Sequence, residues 1–195
     1  MEEFSSKSSQ RIGSVTSGIS QYNGSWTDWE KLHLLRRTGF GFKKSDLQLL
    51  VTKTLSESVD LVLTVDPAIP SPPVNWYQTV LPDENGLAYG ADWTNDAINS
   101  YDVGVLTNLY RSESIKVWLM QQALNQNISI REKMVQFWYH FIPVNFDDVY
   151  NSSNFYCATN SARICFDYMK MFRDNATGNF KQLIRQIATH PAMMY

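Results

Sequence analysis

Apolar positions recur along this chain at helical spacing, and no clean alternation of period two appears. The stretch WTDWEKLHLLRRTGFG predicts a first helix. Thr27 or Asp28 can cap it, Glu30 suits its positive end, and Trp29, Leu32 and Leu35 mark its apolar face. Arg36 and Arg37 fall in the last turn, and Gly39 follows as a stop. The glycines of GFGF let the chain turn tightly with Phe40 packed inward. A second helix opens at Ser45 (SDLQLLVTKTL) and a third at Ser56 (SESVDLVLTV). Four prolines crowd the stretch from Pro67 to Pro73, a density that excludes a regular helix or a central strand. An extended segment across the surface is expected there. The Gly-, Asp- and Asn-rich run from Leu81 to Asp102 reads as a long loop, holding a short hairpin or a helical turn.

Helical patterning resumes at SESIKVWLMQQALNQ, capped by Ser112 or Ser114. Ser129 and Glu132 make an S-x-x-E capping box, so a helix is expected to start near Ile130 and to end by Pro143. The run SSNFYCATNSARICFDYMKMFRDNA is expected to be helical in at least its second half. In TGNFKQLIRQIATH, Phe180, Leu183, Ile184 and Ile187 share one face. His190 and Pro191 then close that helix and open another, with Pro191 at its first position.

The helix that contains EKMVQFWYHF carries the most suggestive chemistry. On a helical wheel Ile130, Met134, Phe137, Trp138 and Phe141 lie opposite Glu132 and predict the core stripe. Glu132, Gln136 and His140 follow at intervals of four and form a polar stripe at the edge of that core, with Tyr139 nearby. His140 therefore stands at a boundary, where it either hydrogen-bonds a neighbouring helix or loop or serves as a general base or metal ligand. His33 and Arg37 share a face of the first helix, and Glu132 or Asp46 is a candidate partner for the arginine. Either the arginine forms a structural ion pair, or it binds an anion in a pocket.

Composition narrows the class. The chain has 195 residues, 44% of them hydrophobic and 13% aromatic, which suits one folded domain. Seventeen basic and nineteen acidic residues leave a net charge of -2, with no sign of a nucleic-acid partner. No apolar run approaches the length of a transmembrane segment, and the Ser-rich N-terminus lacks the apolar core of a signal peptide. Cys157 and Cys165 would lie about 12 Å apart on one helix, too far for a disulfide, and no Cys-x-x-Cys spacing suggests zinc. Asp147 and Asp148 read as a solvated loop, and no nucleophile-elbow sequence is present. The aromatic residues of NWYQ and ADWTND read as lids on a core in preference to platforms for sugar.

Three ordered blocks, HLLRRTGFG, SIREKMVQFWYHF and GNFKQLIRQIATHPAMMY, resemble the bacterial family called domain of unknown function 1800, and Trp118 matches a tryptophan-rich position there. The resemblance runs from about Trp29 to the last residue. It implies a mostly helical domain, commonly exported or envelope-associated, whose members continue past the third block into a further helix. Family members typically read Phe-Trp-His-Asn-His-Phe in the middle block. Here Phe137-Trp138-Tyr139-His140-Phe141 keeps one histidine, which argues against a paired-histidine metal site.

The fold class expected is mostly α, an irregular multi-helix globular domain with long loops. Residues 1–25 are expected to form a disordered leader. Residues 26–195 are expected to form a single helical domain, the N-terminal part of a larger one. Two functions follow. One is a structural or interaction module of an exported or envelope-associated protein, whose partner is another protein or the remaining half of the domain. The other is a hydrolytic or metal-assisted enzyme with His140, Glu132, His33 and Arg37 around one pocket. No cofactor is indicated by any motif.

Overall fold

The computed structural model describes residues 20–65, 69–76, 86–96, 101–151 and 155–194, with side-chain detail outside 101–106 and 155–158. Most of the expected leader, and residues 77–85 of the proline-rich and loop stretches, lie outside the described residues. The described chain is built of α-helices: α1 (Asp28–Thr38), α2 (Lys44–Val51), α3 (Leu55–Leu63), α4 (Tyr101–Asn125), α5 (Arg131–Phe141), α6 (Phe146–Tyr150), α7 (Phe155–Asp174) and α8 (Phe180–Ala188). A 3-10 turn, Pro191–Met193, follows. Among the described residues there is no strand, only an isolated antiparallel bridge between Val74 and Asp92.

Local chemistry explains most helix starts. Thr27 caps α1 in a capping box, with the Glu30 carboxylate accepting from the Thr27 amide at 2.9 Å. Thr54 and Glu57 do the same for α3, which begins before the Ser56 expected, and the Asp46 carboxylate accepts from the Lys43 amide at the head of α2. Asn179 caps α8 through the Gln182 amide, and His190 caps the 3-10 turn with Pro191 at its first position, as expected. Gly39 does end α1, but with φ at −122°, in extended backbone, not in the left-handed region.

Four expectations need correction. α4 runs unbroken through Ser112 and Ser114, so neither serine caps it. Ser114 Oγ instead donates back to the Arg111 carbonyl at 2.6 Å and accepts from Trp93 Nε1 at 2.8 Å, which makes a mid-helix serine tolerable. Asp147 and Asp148 are not in a loop. They occupy the first turn of α6, where carboxylates suit the helix dipole. The apolar face expected for α1 is also incomplete, because Leu35 is buried while Trp29 is 69% exposed. Phe40 does not pack inward. It is exposed, and the Lys133 ammonium lies 4.5 Å from its ring centroid.

The core forms around α7, which is helical from its first turn and packs against α4, α5, α6, α8 and the 3-10 turn. Tyr168 and Phe172 of α7 are fully buried and meet edge to face, with Met169 and Cys165 beside them. Ile115 and Trp118 come from α4, Val135 from α5, and Leu183 and Ile187 from α8. Leu35, Leu50 and Val62 of α1–α3 are buried apart from this cluster, and the Ile130 amide ties the two regions by donating to the Val62 carbonyl at 3.0 Å. Trp93 reaches the main core from the loop before α4 and is 1% exposed, which agrees with the lid reading for ADWTND. Its ring lies 5.7 Å from the buried Arg111 guanidinium, which donates to the Asp96 carboxylate and carbonyl.

Candidate functional site

α5 positions the site, and it keeps only part of the expected stripe: Met134 and Trp138 pack against the core and Gln136 and His140 stay exposed, but Glu132 turns inward and two phenylalanines turn out. Val135 and Glu132 are buried, whereas Phe137 and Phe141 are 51% and 61% exposed. Trp138 is held between the two faces by a hydrogen bond to the Ala176 carbonyl at 3.0 Å. The capping box read from Ser129 and Glu132 does not form, although the helix starts next to Ile130 as expected. Ser129 Oγ accepts from the Arg131 amide at 3.2 Å, but the Glu132 carboxylate turns inward and pairs with Arg173 of α7. A buried carboxylate requires such a partner, since desolvation without one is prohibitive. The pair is largely withdrawn from water, with side-chain exposures of 6% for Glu132 and 13% for Arg173.

This ion pair is the floor of a cleft. Two adjoining cavities of about 190 Å³ each share Arg131, Arg173 and Pro70 in their walls. The first is bounded by Glu132, by Gln122 and Asn125 of α4, and by Gln126, Asn127 and Ser129 of the connection to α5. The second is bounded by Trp118, Phe166, Ile69, Lys170 and Asp174. Pro70 hangs over both because the proline-rich segment is anchored to α4, Trp118 Nε1 donating to the Ser71 carbonyl at 2.7 Å. Among the described residues the lining holds three cations (Arg131, Lys170, Arg173) and two carboxylates (Glu132, Asp174), with Arg173 paired to Glu132 and Lys170 to Asp174 along α7.

The other residues singled out in the sequence lie elsewhere. His33 and Arg37 are exposed on α1, and neither lines the cleft. The carboxylates considered for Arg37 have other work: Glu132 pairs with Arg173, and Asp46 caps α2. His140 is exposed, and its Nδ1 lies 3.0 Å from the Gln136 carbonyl one turn back on its own helix. Of the four, Glu132 alone reaches the cleft. Arg173, Lys170 and Gln126 were not singled out in the sequence. The usable signal was the need of a buried Glu132 for a cation, which α7 supplies instead of α1.

Two buried groups outside the cleft are chemically quiet. Burial pushes the Cys165 thiol up to about 12, with the nearby Asp147 charge acting in the same direction, so it stays protonated and unreactive. Burial holds His190 below the usual histidine range, against the opposing charge of Asp167, and its Nδ1 accepts from the Ala192 amide at 3.1 Å. Among the described residues no group of three or more His, Cys, Asp or Glu side chains is placed to hold a metal ion. No described helix is long and apolar enough to cross a membrane.

The fold and cleft define an all-α domain assembled around one central helix. The family model described as protein of unknown function (DUF1800) matches residues 33–195, and the chain belongs to that family. Comparisons with curated proteins and with solved structures gave no significant match.

Proposed function

We propose that this domain is an interaction module, part of an exported or envelope-associated protein, that docks a protein surface through the aromatic face of α5 and α8. One observation carries the reading. Phe137 and Phe141 stack nearly parallel at 6.1 Å between ring centroids, both more than half exposed, while Trp138 stacks on Phe180 of α8 at 5.4 Å. Ile184, one turn after Phe180 on α8, adds exposed apolar surface. Contiguous apolar patches of this kind mark interaction surfaces, and aromatic residues dominate binding at such places. The partner is another protein or a further part of the same domain, beyond residue 195.

The test is a photo-crosslinking amino acid placed at Phe137 in cells that make the protein. A discrete protein adduct is expected there and not at the exposed Lys116 of α4. Equal, diffuse labelling at both positions contradicts the reading. The catalytic alternative, a hydrolytic or metal-assisted enzyme using His140, Glu132, His33 and Arg37, draws support from Glu132 alone, the one member of the set beside a cavity. Hydrolysis by the purified protein that is lost in both His140→Ala and His33→Ala would favour it over the interaction module.

A further inference from the structure

We propose that the corner between α1 and α2 is a contact surface for anionic lipid headgroups, with Phe40 and Phe42 entering the bilayer interface. The stretch RRTGFGFKK builds it. Arg36 and Arg37 close α1, Lys43 and Lys44 stand at the start of α2, and all four are exposed. Lys133 reaches the same corner from α5, its ammonium 4.5 Å from the Phe40 ring centroid. Among the described residues none of these five cations is paired with a carboxylate. Asp46 is the only carboxylate in the sequence between Arg36 and Lys53, and it accepts from the Lys43 amide at 2.7 Å. The side chains of Gln126, Asn127, Ile128 and Ser129, which face the loop across a small cavity, are uncharged. Lys43 and Lys44 also sit at the positive end of the α2 dipole, where cations are disfavoured, so their charge does not serve the helix.

A run of charge alone is an ordinary solvated surface. Two rings set among these charges make the difference. Phe40 and Phe42 are 42% and 37% exposed, on either side of Gly41. A Cβ added to Gly41 would meet no atom within 4 Å, so the loop is open there. The Arg36 guanidinium lies 5.8 Å from the Phe42 ring centroid, as Lys133 lies over Phe40. Apolar rings and cations thus reach the surface together. A bilayer interface takes both, the rings among the acyl chains nearest the headgroups and the cations at the phosphates.

The shape of the corner favours a lipid surface over other polyanions. The cavity bordered by Gly39 and Gly41 holds only about 30 Å³, too little for a nucleobase or a peptide side chain. One face of each ring already carries a cation, which leaves a poor platform for stacking bases. A partner that is itself broad, flat and negative needs neither a pocket nor a stacking face. The inference does not rest on the docking face of α5 and α8, and either can fail without the other.

Co-sedimentation of the whole chain with vesicles tests the proposal, using phosphatidylcholine alone and phosphatidylcholine mixed with phosphatidylglycerol. Binding is expected to the mixed vesicles only, and it should fall as salt is raised. Each cation near such a surface contributes about fivefold, so Lys43→Gln with Lys44→Gln is expected to weaken binding by about tenfold or more. Phe40→Ser with Phe42→Ser is expected to weaken it by about tenfold as well. Lys181→Gln with Arg185→Gln removes the same charge from exposed positions of α8 and is expected to change binding by no more than about twofold. Thermal melting checks that each variant is folded, and the lysine pair decides if the phenylalanine variant is not. The proposal is overturned if the parent chain does not bind the mixed vesicles, or if the α8 variant loses as much as the Lys43 and Lys44 variant. Unchanged binding in a folded phenylalanine variant also overturns it, as does binding of oligodeoxythymidylate or polyglutamate in place of the vesicles.

Discussion

The two faces of α5 differ in a way that reverses the usual division between core and surface. The inward face carries a carboxylate, Glu132, and the outward face carries two phenylalanines. The inward charge is tolerable because Arg173 comes from the facing helix and neutralises it where water is scarce. The outward aromatics are tolerable because they stack on each other and, through Trp138, on Phe180. The comparison teaches that a helix with apolar residues on several sides has no single hydrophobic face to read. What it packs against decides which side goes in.

The largest expected effect comes from breaking the inward face. Glu132→Ala or Arg173→Ala leaves one buried charge without its partner and should cost about 3–5 kcal/mol of folding stability, measured by urea denaturation. The paired change Glu132→Leu with Arg173→Met removes both charges and should recover most of that loss. If the double variant is as unstable as either single one, the pair is not the source of the effect.

A smaller effect concerns His190, at the end of α7's packing surface. Burial lowers its pKa in the folded state from the ordinary 6.5, so the unfolded chain binds more protons in the window between the two values. Its contribution is therefore full above about pH 6.5 and falls as the pH drops through the folded value. Tyr168, Asp167 and Lys170 of α7 stand around this group, and the Asp167 charge opposes the shift without cancelling it. His190→Asn, which retains a side-chain acceptor for the Ala192 amide, should flatten the decline in melting temperature between pH 7 and 5. An equal decline in the variant would remove His190 as its cause.

Cys165 sharpens the account of the core. Its thiol, pushed to about 12 and fully buried, should resist alkylation at pH 8 in the native protein and react on unfolding in urea, as followed by mass spectrometry. Rapid native labelling would mean that α7 is not the packed centre.

The smallest effect on stability is expected at the outward face. Phe137→Ser with Phe141→Ser should change stability by no more than about 0.5 kcal/mol per site, while lowering binding of a hydrophobic dye and reducing self-association in sedimentation. A large loss of stability would move these residues back into the core.

Much of the local structure was legible in the sequence because its causes are local. Thr27 with Glu30, and His190 with Pro191, act within four residues, and the structure uses both. The face of α8 was legible in its inward half, since Leu183 and Ile187 are buried while Phe180 and Ile184 are exposed. What was not legible depends on distant partners. Ser112 and Ser114 have the chemistry of caps, but α4 continues through them because Trp93, 21 residues away, supplies a donor to Ser114. α6 is only five residues long and leaves too short a pattern to read. Glu132 was read as half of a capping box, yet an arginine 41 residues later claims its carboxylate. The cleft itself was hidden for the same reason: its walls come from α4, α5, α7 and the Ile69–Pro70 segment, and no single stretch carries its signature.

The outward placement of Phe137 and Phe141 on α5 is tested most directly by hydroxyl-radical footprinting of the native protein at low concentration, read residue by residue in a mass spectrometer. Phe137 and Phe141 should be oxidised at rates near those of the unfolded chain, and Phe166 and Phe172 should be strongly protected. Protection of Phe137 and Phe141 equal to that of Phe172 would contradict the account, and would return the aromatic stripe of α5 to the core.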